Sequence, residues 1–145
     1  MQKVFDSNNI DLNTEEELPT SLANFINKGI TETDECFYFK DLATSYSEDL
    51  FDKTGNESFI NKLYVDDFID TTDNVKLLQI GISFVKSLGN MLESYNKPFC
   101  IILGYQDNMN SVDVRFHKIR LEEVKYLVED IDTYLEDCIL QCFVN

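Results

Sequence analysis

The apolar positions divide the chain into a loop-rich front, residues 1–57, and a regularly patterned core, residues 58–145, of one domain. The clearest periodicity covers residues 73–95, where apolar side chains recur three, four and seven positions apart. This spacing is typical of the buried face of a helix. Thr72 or Asp73 can cap its first turn. The pattern therefore predicts one long helix with a wide apolar face.

After Pro98 the apolar period becomes that of strands. Residues 99–105 form a continuous apolar run, which is typical of a central strand covered on both faces. Residues 112–117 alternate between apolar and polar, which indicates a strand with one solvated face. A short acidic helix or turn is predicted over residues 121–134, and residues 138–144 form another apolar strand. This order predicts an α+β fold in which the long helix packs on a mostly antiparallel sheet.

The front has less regular patterning. A short helix is predicted after Pro19 and before Gly29, and the sequence CFYF at residues 36–39 predicts a short strand. Residues 41–58 are predicted to be a loop that turns at its Gly-Asn pair. In residues 60–69 the alternation favours a strand that runs into two adjacent aspartates.

The charge balance is strongly acidic, with 12 Lys and Arg against 27 Asp and Glu and a formal net charge of −15. A hydrophobic fraction of 43% and 11 Phe argue against disorder despite this charge. Broad binding to nucleic acid or to an anionic membrane is excluded, because it requires clustered Lys and Arg. The chain also has no apolar run suited to a signal peptide or a membrane span. We therefore expect a cytoplasmic protein whose best partner is basic.

Residues that could carry chemistry are few. The single histidine, His117, lies in the basic run VRFHKIR, which could form a small anion site or simply pair with neighbouring acids. No nucleophile motif and no phosphate-binding glycine loop is present, so we expect neither an enzyme nor a cofactor. Four cysteines lack metal-binding or redox spacing and are expected to be free, buried thiols. They are Cys36, Cys100, Cys138 and Cys142.

Four carboxylates fall within eight residues, at Asp66, Asp67, Asp70 and Asp73. Hard cations such as Mg²⁺ take several carboxylate oxygens, so a metal-dependent hydrolase is a minor alternative. The spacing matches no calcium-binding loop, however, and no glycine lies at the required turn. We therefore expect no bound metal and interpret this cluster as an acidic edge facing solvent.

Four core segments follow one another in a recognisable order between residues 58 and 144. They are INKLYVDDFI, LLQIGISFVKSLGNMLESYNKPFCIILGY, SVDVRFHKIR and YLVEDIDTYLEDCILQCFV. This order resembles immunity proteins of bacterial contact-dependent growth inhibition and related polymorphic toxin systems. The resemblance implies a small cytoplasmic α+β protein that binds and neutralises one cognate toxin domain, commonly a nuclease.

The resemblance and the acid excess together predict a surface that contacts Lys and Arg of a basic toxin. By analogy we expect the Asp66-Asp67 corner and the Glu129-Asp130 turn to face it. The predicted carboxylate contacts are Asp66, Asp67, Asp70, Glu122, Glu123, Glu129, Asp130 and Asp132. The predicted aromatic anchors beside them are Tyr64, Tyr126 and Tyr134. An alternative is another acidic interaction protein, such as a nucleic-acid mimic or an adaptor; the sequence carries no signal for an oligomeric state.

Overall fold

The computed structural model describes residues 10–13, 16–43, 52–106, 110–123 and 138–145. The helices in these ranges are α1 (Thr20–Asn27), α2 (Lys53–Ile60) and α3 (Asn74–Glu93). The strands are β1 (Ile30–Thr33), β2 (Cys36–Phe39), β3 (Leu63–Tyr64), β4 (Phe99–Gln106), β5 (Ser111–Lys118) and β6 (Cys138–Val144). The predicted α+β class, with the long helix on a mostly antiparallel sheet, is confirmed.

The described strands form two antiparallel sheets. β1 and β2 make a hairpin, and the larger sheet has the order β3-β5-β4-β6. In one row across the larger sheet, Tyr64 lies opposite Asp113, then Gly104, then Ile139. Every residue of β4 from Phe99 to its seventh position is buried, as expected for a strand with a neighbour on each side.

α3 packs on one face of this sheet. A Cβ placed on Gly81 would meet Val112 Cγ1 at 2.7 Å, so helix and sheet lie in close contact there. The opposite side of the helix faces the front of the chain, where Ser83 Oγ accepts a hydrogen bond from Glu16 N at 2.9 Å. α3 is therefore buried between two layers, which explains why its apolar positions exceed a single narrow stripe.

Aromatic rings join the front of the chain to the core. Phe39 of β2 contacts Phe116 of β5, with ring centroids 4.9 Å apart, and Phe25 of α1 at 5.0 Å. Phe37 contacts Phe99 of β4 at 5.1 Å. These edge-to-face pairs stabilise the fold through both burial and ring geometry. The front third of the chain therefore forms one side of the hydrophobic core.

Two predictions for the middle of the chain need correction. The loop and Gly-Asn turn predicted within residues 41–58 are wrong over residues 53–58, because α2 begins at Lys53. Its N-terminus is capped by Asp52, whose Oδ1 accepts a hydrogen bond from Gly55 N at 2.7 Å. The strand predicted in residues 60–69 has only two residues, and a 3₁₀ turn (Val65–Phe68) follows it.

The strand predicted over residues 112–117 is confirmed with its alternation, but its polar face is half-buried and His117 on that face is buried. Asp113 and Arg115 form an ion pair (2.6 Å) with side chains only 12% and 17% exposed, and His117 is 8% exposed. The strands predicted at residues 99–105 and 138–144 are confirmed, and the four cysteines are free, but only Cys36 and Cys100 are buried as predicted, while Cys138 and Cys142 are half-exposed on the edge strand β6. Most of the helix or turn predicted over residues 121–134 lies outside the described residues. Within the described ranges, no helix is long and apolar enough to cross a membrane.

Candidate partner-binding surface

Residues 64–73 join β3 to α3 and contain four aspartates; we call this segment the acidic corner. Asp66 Oδ1 accepts hydrogen bonds from Ser111 Oγ (3.0 Å) and Val112 N (3.1 Å) at the start of β5. Asp73 caps α3, and its Oδ1 accepts from the two amides of residues 75 and 76 at 3.0 and 3.1 Å. Two of the four carboxylates therefore hold the corner in place.

The middle of the acidic corner is held by neighbouring elements. Ser21 Oγ of α1 donates a hydrogen bond to Phe68 O (3.1 Å), and Asn110 Nδ2 donates to Thr71 O (3.2 Å). The Phe68 ring packs edge-to-face on Phe25, with centroids 5.6 Å apart. These contacts fix the backbone of the corner without help from any partner.

Asp67 and Asp70 occupy this fixed backbone and are exposed. Neither carboxylate forms an ion pair or a hydrogen bond with any other residue that the structure describes. Some exposed acids elsewhere are neutralised, as in the ion pair between Lys28 and Asp41, whereas Glu32 and Asp34 are also exposed without an ion pair to any described residue. The corner therefore presents two carboxylates whose charge faces solvent on a rigid support.

Tyr64 provides an aromatic side chain at the start of the corner. It is 40% exposed, and Lys62 Nζ lies 4.6 Å from its ring centroid, which is a cation–π distance. A half-exposed tyrosine presents an apolar ring together with a polar hydroxyl, a combination that is common at protein interfaces. Tyr64 is therefore suited to contact a partner that also engages the aspartates.

The second predicted cluster is only partly described. Glu122 is exposed, whereas Glu123 Oε2 accepts a hydrogen bond from Thr54 N at 2.7 Å in the first turn of α2. Burial opposes ionisation of Glu123, but the Thr54 hydrogen bonds and the Arg120 charge outweigh it and lower the pKa of this carboxyl. The Glu123 carboxylate is therefore used inside the fold, where it holds the first turn of α2 in place. The other predicted contacts lie outside the described residues: Tyr126, Glu129, Asp130, Asp132 and Tyr134.

A buried polar network that the sequence pattern does not predict lies behind α2. The Glu57 side chain, with no solvent exposure, binds Arg120 through both carboxylate oxygens at 2.8 and 2.9 Å. Glu57 also accepts hydrogen bonds from Phe37 N (2.8 Å) and Lys118 N (2.7 Å). One sequence signal for α2 and its network is Asp52 as a helix cap, followed by polar residues four positions apart at 57 and 61. This network orients α2 and removes Arg120 from any surface anion site.

His117 and Cys100 are neighbours across β4 and β5 but do not resemble a catalytic pair. Burial raises the pKa of the Cys100 thiol to about 11, so this group stays protonated and non-nucleophilic at neutral pH. Burial also lowers the pKa of His117. Among the described residues, no three His, Cys, Asp or Glu side chains are grouped to hold a metal ion.

Comparison with known proteins places the chain in a family. No curated protein and no solved structure matches it. A family model described as "Uncharacterized protein PM0498 family" matches residues 1–143, nearly the whole sequence. The match includes both the front of the chain and the α3–sheet core. The chain belongs to the PM0498 family.

Proposed function

We propose that the protein is an immunity protein that binds a cognate basic toxin domain, a nuclease, and neutralises it by covering its surface. The observation that carries this proposal is the pair of exposed carboxylates on the fixed acidic corner, Asp67 and Asp70, in the same segment as half-exposed Tyr64. The formal net charge of −15 extends the same polarity to the whole chain. The proposal places the protein in the cytoplasm, where the toxin would reach its substrate.

The corner can favour binding before any contact forms. At physiological salt the electrostatic field of exposed charges extends about 8 Å, so unpaired carboxylates attract a basic surface and speed its association. Charge complementarity of this kind raises association rates more than it raises final affinity. A nuclease exposes Lys and Arg along its phosphate path, so an acidic protein bound there would block the substrate.

The fixed backbone limits the entropy that binding removes. Asp66 and Asp73 hold the two sides of the exposed pair through hydrogen bonds inside the chain. Asp67 and Asp70 would therefore lose mainly side-chain freedom when they engage Lys or Arg. Tyr64 would provide the apolar contact that slows dissociation, because aromatic anchors carry much of the energy of typical interfaces.

The first experiment tests neutralisation. The C-terminal domain of the protein encoded immediately upstream is expressed in cells with and without this chain. We expect the domain alone to stop growth and degrade nucleic acid, and co-expression to restore both. Growth arrest that persists with abundant folded chain, or an upstream protein without toxic activity, would contradict the proposal.

The second experiment tests the surface. Asp67→Asn with Asp70→Asn removes two charges from the corner, and Glu32→Gln with Asp34→Asn removes two exposed charges from the β1–β2 hairpin. Asn suits the positive φ of 51° at position 34. We expect the corner variant to lose neutralisation at limiting expression while the hairpin variant retains it. Equal behaviour of the two variants would remove the corner from the interface.

A further inference from the structure

β6 ends the larger sheet on one side. Its seven residues pair with β4 along their whole length, and no other described strand lies on its outer edge. Its side chains are half-exposed from Cys138 to Cys142, whereas the corresponding residues of β4 are buried. Phe143 is 62% exposed, which is unusual for a large apolar side chain in a strand. β6 is therefore an edge strand with an accessible apolar surface.

β6 lacks the features that normally protect such an edge. The sequence CILQCFV has no charged residue and no proline, although 27% of the chain is charged. Natural proteins usually place lysine, proline or a bulge on exposed edges, because free backbone groups there pair with other chains. The β6 strand itself therefore adds no like-charge repulsion when two copies of this chain of charge −15 approach along it.

The direction of the free backbone groups follows from the sheet. In β5, Val112 N and Lys118 N are bonded on the side away from β4, so the even-numbered residues point that way. Because the two directions alternate along antiparallel strands, the register carries this alternation across β4 to β6. Ile139, Gln141 and Phe143 then point their N–H and C=O groups to the free edge.

This edge is complementary to itself. In an antiparallel pair of β6 strands centred on Gln141, each Gln141 faces its symmetry mate and each Ile139 faces the Phe143 of the other copy. The three outward residues of each copy then exchange all their backbone hydrogen bonds, and Phe143 packs on Ile139. A two-fold interface requires this kind of self-complementarity.

We propose that β6 pairs with β6 of a second copy and makes a homodimer with one continuous eight-stranded sheet. Sedimentation of the full-length protein over micromolar concentrations tests this directly, and we expect a species of twice the chain mass. Phe143→Lys puts a charge on the pairing edge and should make the protein monomeric. Phe59→Lys, at a 51% exposed phenylalanine on α2, is the matched control and should leave the dimer intact. A monomeric wild-type protein, or a dimer unaffected by Phe143→Lys, would overturn the proposal.

A cross-link tests the register. Gln141→Cys would place two thiols on the two-fold axis, with Cα atoms about 5.5 Å apart and within disulfide range. We expect a covalent dimer on oxidation with copper–phenanthroline. Wild type and the Ile139→Cys variant should give no covalent dimer, because residue 139 faces Phe143 of the other copy and not its own symmetry mate. Failure of Gln141→Cys to cross-link would exclude this register. If Phe143→Lys instead abolished binding of the upstream toxin domain to a monomeric chain, the edge would belong to that partner and the homodimer would be excluded.

Discussion

The two edges of the larger sheet are completed in opposite ways. We call the edge at β3 and β5 the closed end and the edge at β6 the open end. At the β5 end, β3 has only two residues, and side chains take over where it stops: Asp66 binds Val112 N, Asn61 binds Phe116 O, and Glu57 binds Lys118 N. At the β6 end the strand has no charged residue, and Ile139, Gln141 and Phe143 point their backbone groups outward without such cover from any described residue. A sheet edge can therefore be closed by buried polar side chains as well as by a strand.

The closed end also joins the two sheets. Asn61 accepts a hydrogen bond from Phe39 N (3.0 Å) and donates to Phe37 O (2.8 Å), while its amide reaches Phe116 O at 3.2 Å. Glu57 makes the equivalent connection from Phe37 N to Lys118 N. α2 thus connects β2 to β5 through side chains. In our proposals this rigid end supports the acidic corner and the open end supports self-association.

The largest expected effect comes from breaking the closed end at its ion pair. Glu57→Gln removes the bidentate countercharge of buried Arg120 and leaves it only the longer contact with Glu123 (3.9 Å), so the free energy of unfolding should fall by about 3–5 kcal/mol. Urea denaturation measures this loss. Asp41→Asn, which removes the exposed pair with Lys28, is the control and should change stability by less than about 1 kcal/mol. Similar losses in both variants would show that Glu57 does not close the edge.

The second prediction concerns Asn61. Asn61→Leu keeps the side-chain volume but leaves Phe39 N–H, Phe37 C=O and Phe116 C=O without this partner. We expect a loss of about 2–3 kcal/mol, because buried backbone groups without hydrogen bonds are costly. Amide hydrogen exchange should also accelerate at Phe39. An unchanged exchange rate at Phe39 would argue against the side-chain bridge.

Alanine substitutions at two glycines of α3 compare how closely the helix packs on the two ends of the sheet. Gly81→Ala should destabilise by about 1–3 kcal/mol, since its Cβ would meet Val112 Cγ1 at 2.7 Å and Leu103 Cδ1 at 3.1 Å. Gly89→Ala meets Val144 and Ile101 at 3.8 and 3.9 Å, which is ordinary contact, and should stabilise by about 0.5–1 kcal/mol. Thermal unfolding measures both. Effects of the same sign would mean that the helix does not lie closer to β5 than to β6.

The smallest predicted effect is a pH dependence at the closed end. Burial lowers the pKa of His117 below 6.5, so the unfolded chain takes up the proton first and stability falls as pH drops below about 6.5. Glu123, whose pKa is lowered from 4.5, acts with the same sign at lower pH. Urea denaturation at about pH 7.5 and 5.5 should show a smaller decrease for His117→Gln than for wild type. An equal decrease would place the titration elsewhere.

The sequence predicts the elements whose signals are local. The apolar period of α3 and the runs of β4 and β6 are visible in their own residues, and the structure confirms them. α2 was missed because its stability depends on partners far along the chain: Glu57 binds Phe37, 20 residues before it, and Arg120, 63 residues after it. A pattern in neighbouring residues cannot predict hydrogen bonds between residues so far apart in the sequence.

The candidate surface was predictable in part for the same reason. Composition and spacing indicate an acidic cluster, and Asp67 and Asp70 are indeed exposed. The sequence cannot separate these from Asp66 and Glu123, because their hydrogen bonds to Val112 and Thr54 depend on the folded topology. Exposure and internal bonding, rather than charge, distinguish a carboxylate that can bind a partner from one that holds the fold.

The association rate with the proposed toxin domain, encoded upstream, tests the central claim most directly. The corner variant, Asp67→Asn with Asp70→Asn, is compared by stopped flow with wild type and with the hairpin variant, Glu32→Gln with Asp34→Asn, at low and high salt. We predict that the corner variant associates about ten-fold more slowly at low salt, that the difference shrinks as salt screens the charges, and that the hairpin variant stays close to wild type. Equal rates for the corner variant and wild type at low salt would contradict the account.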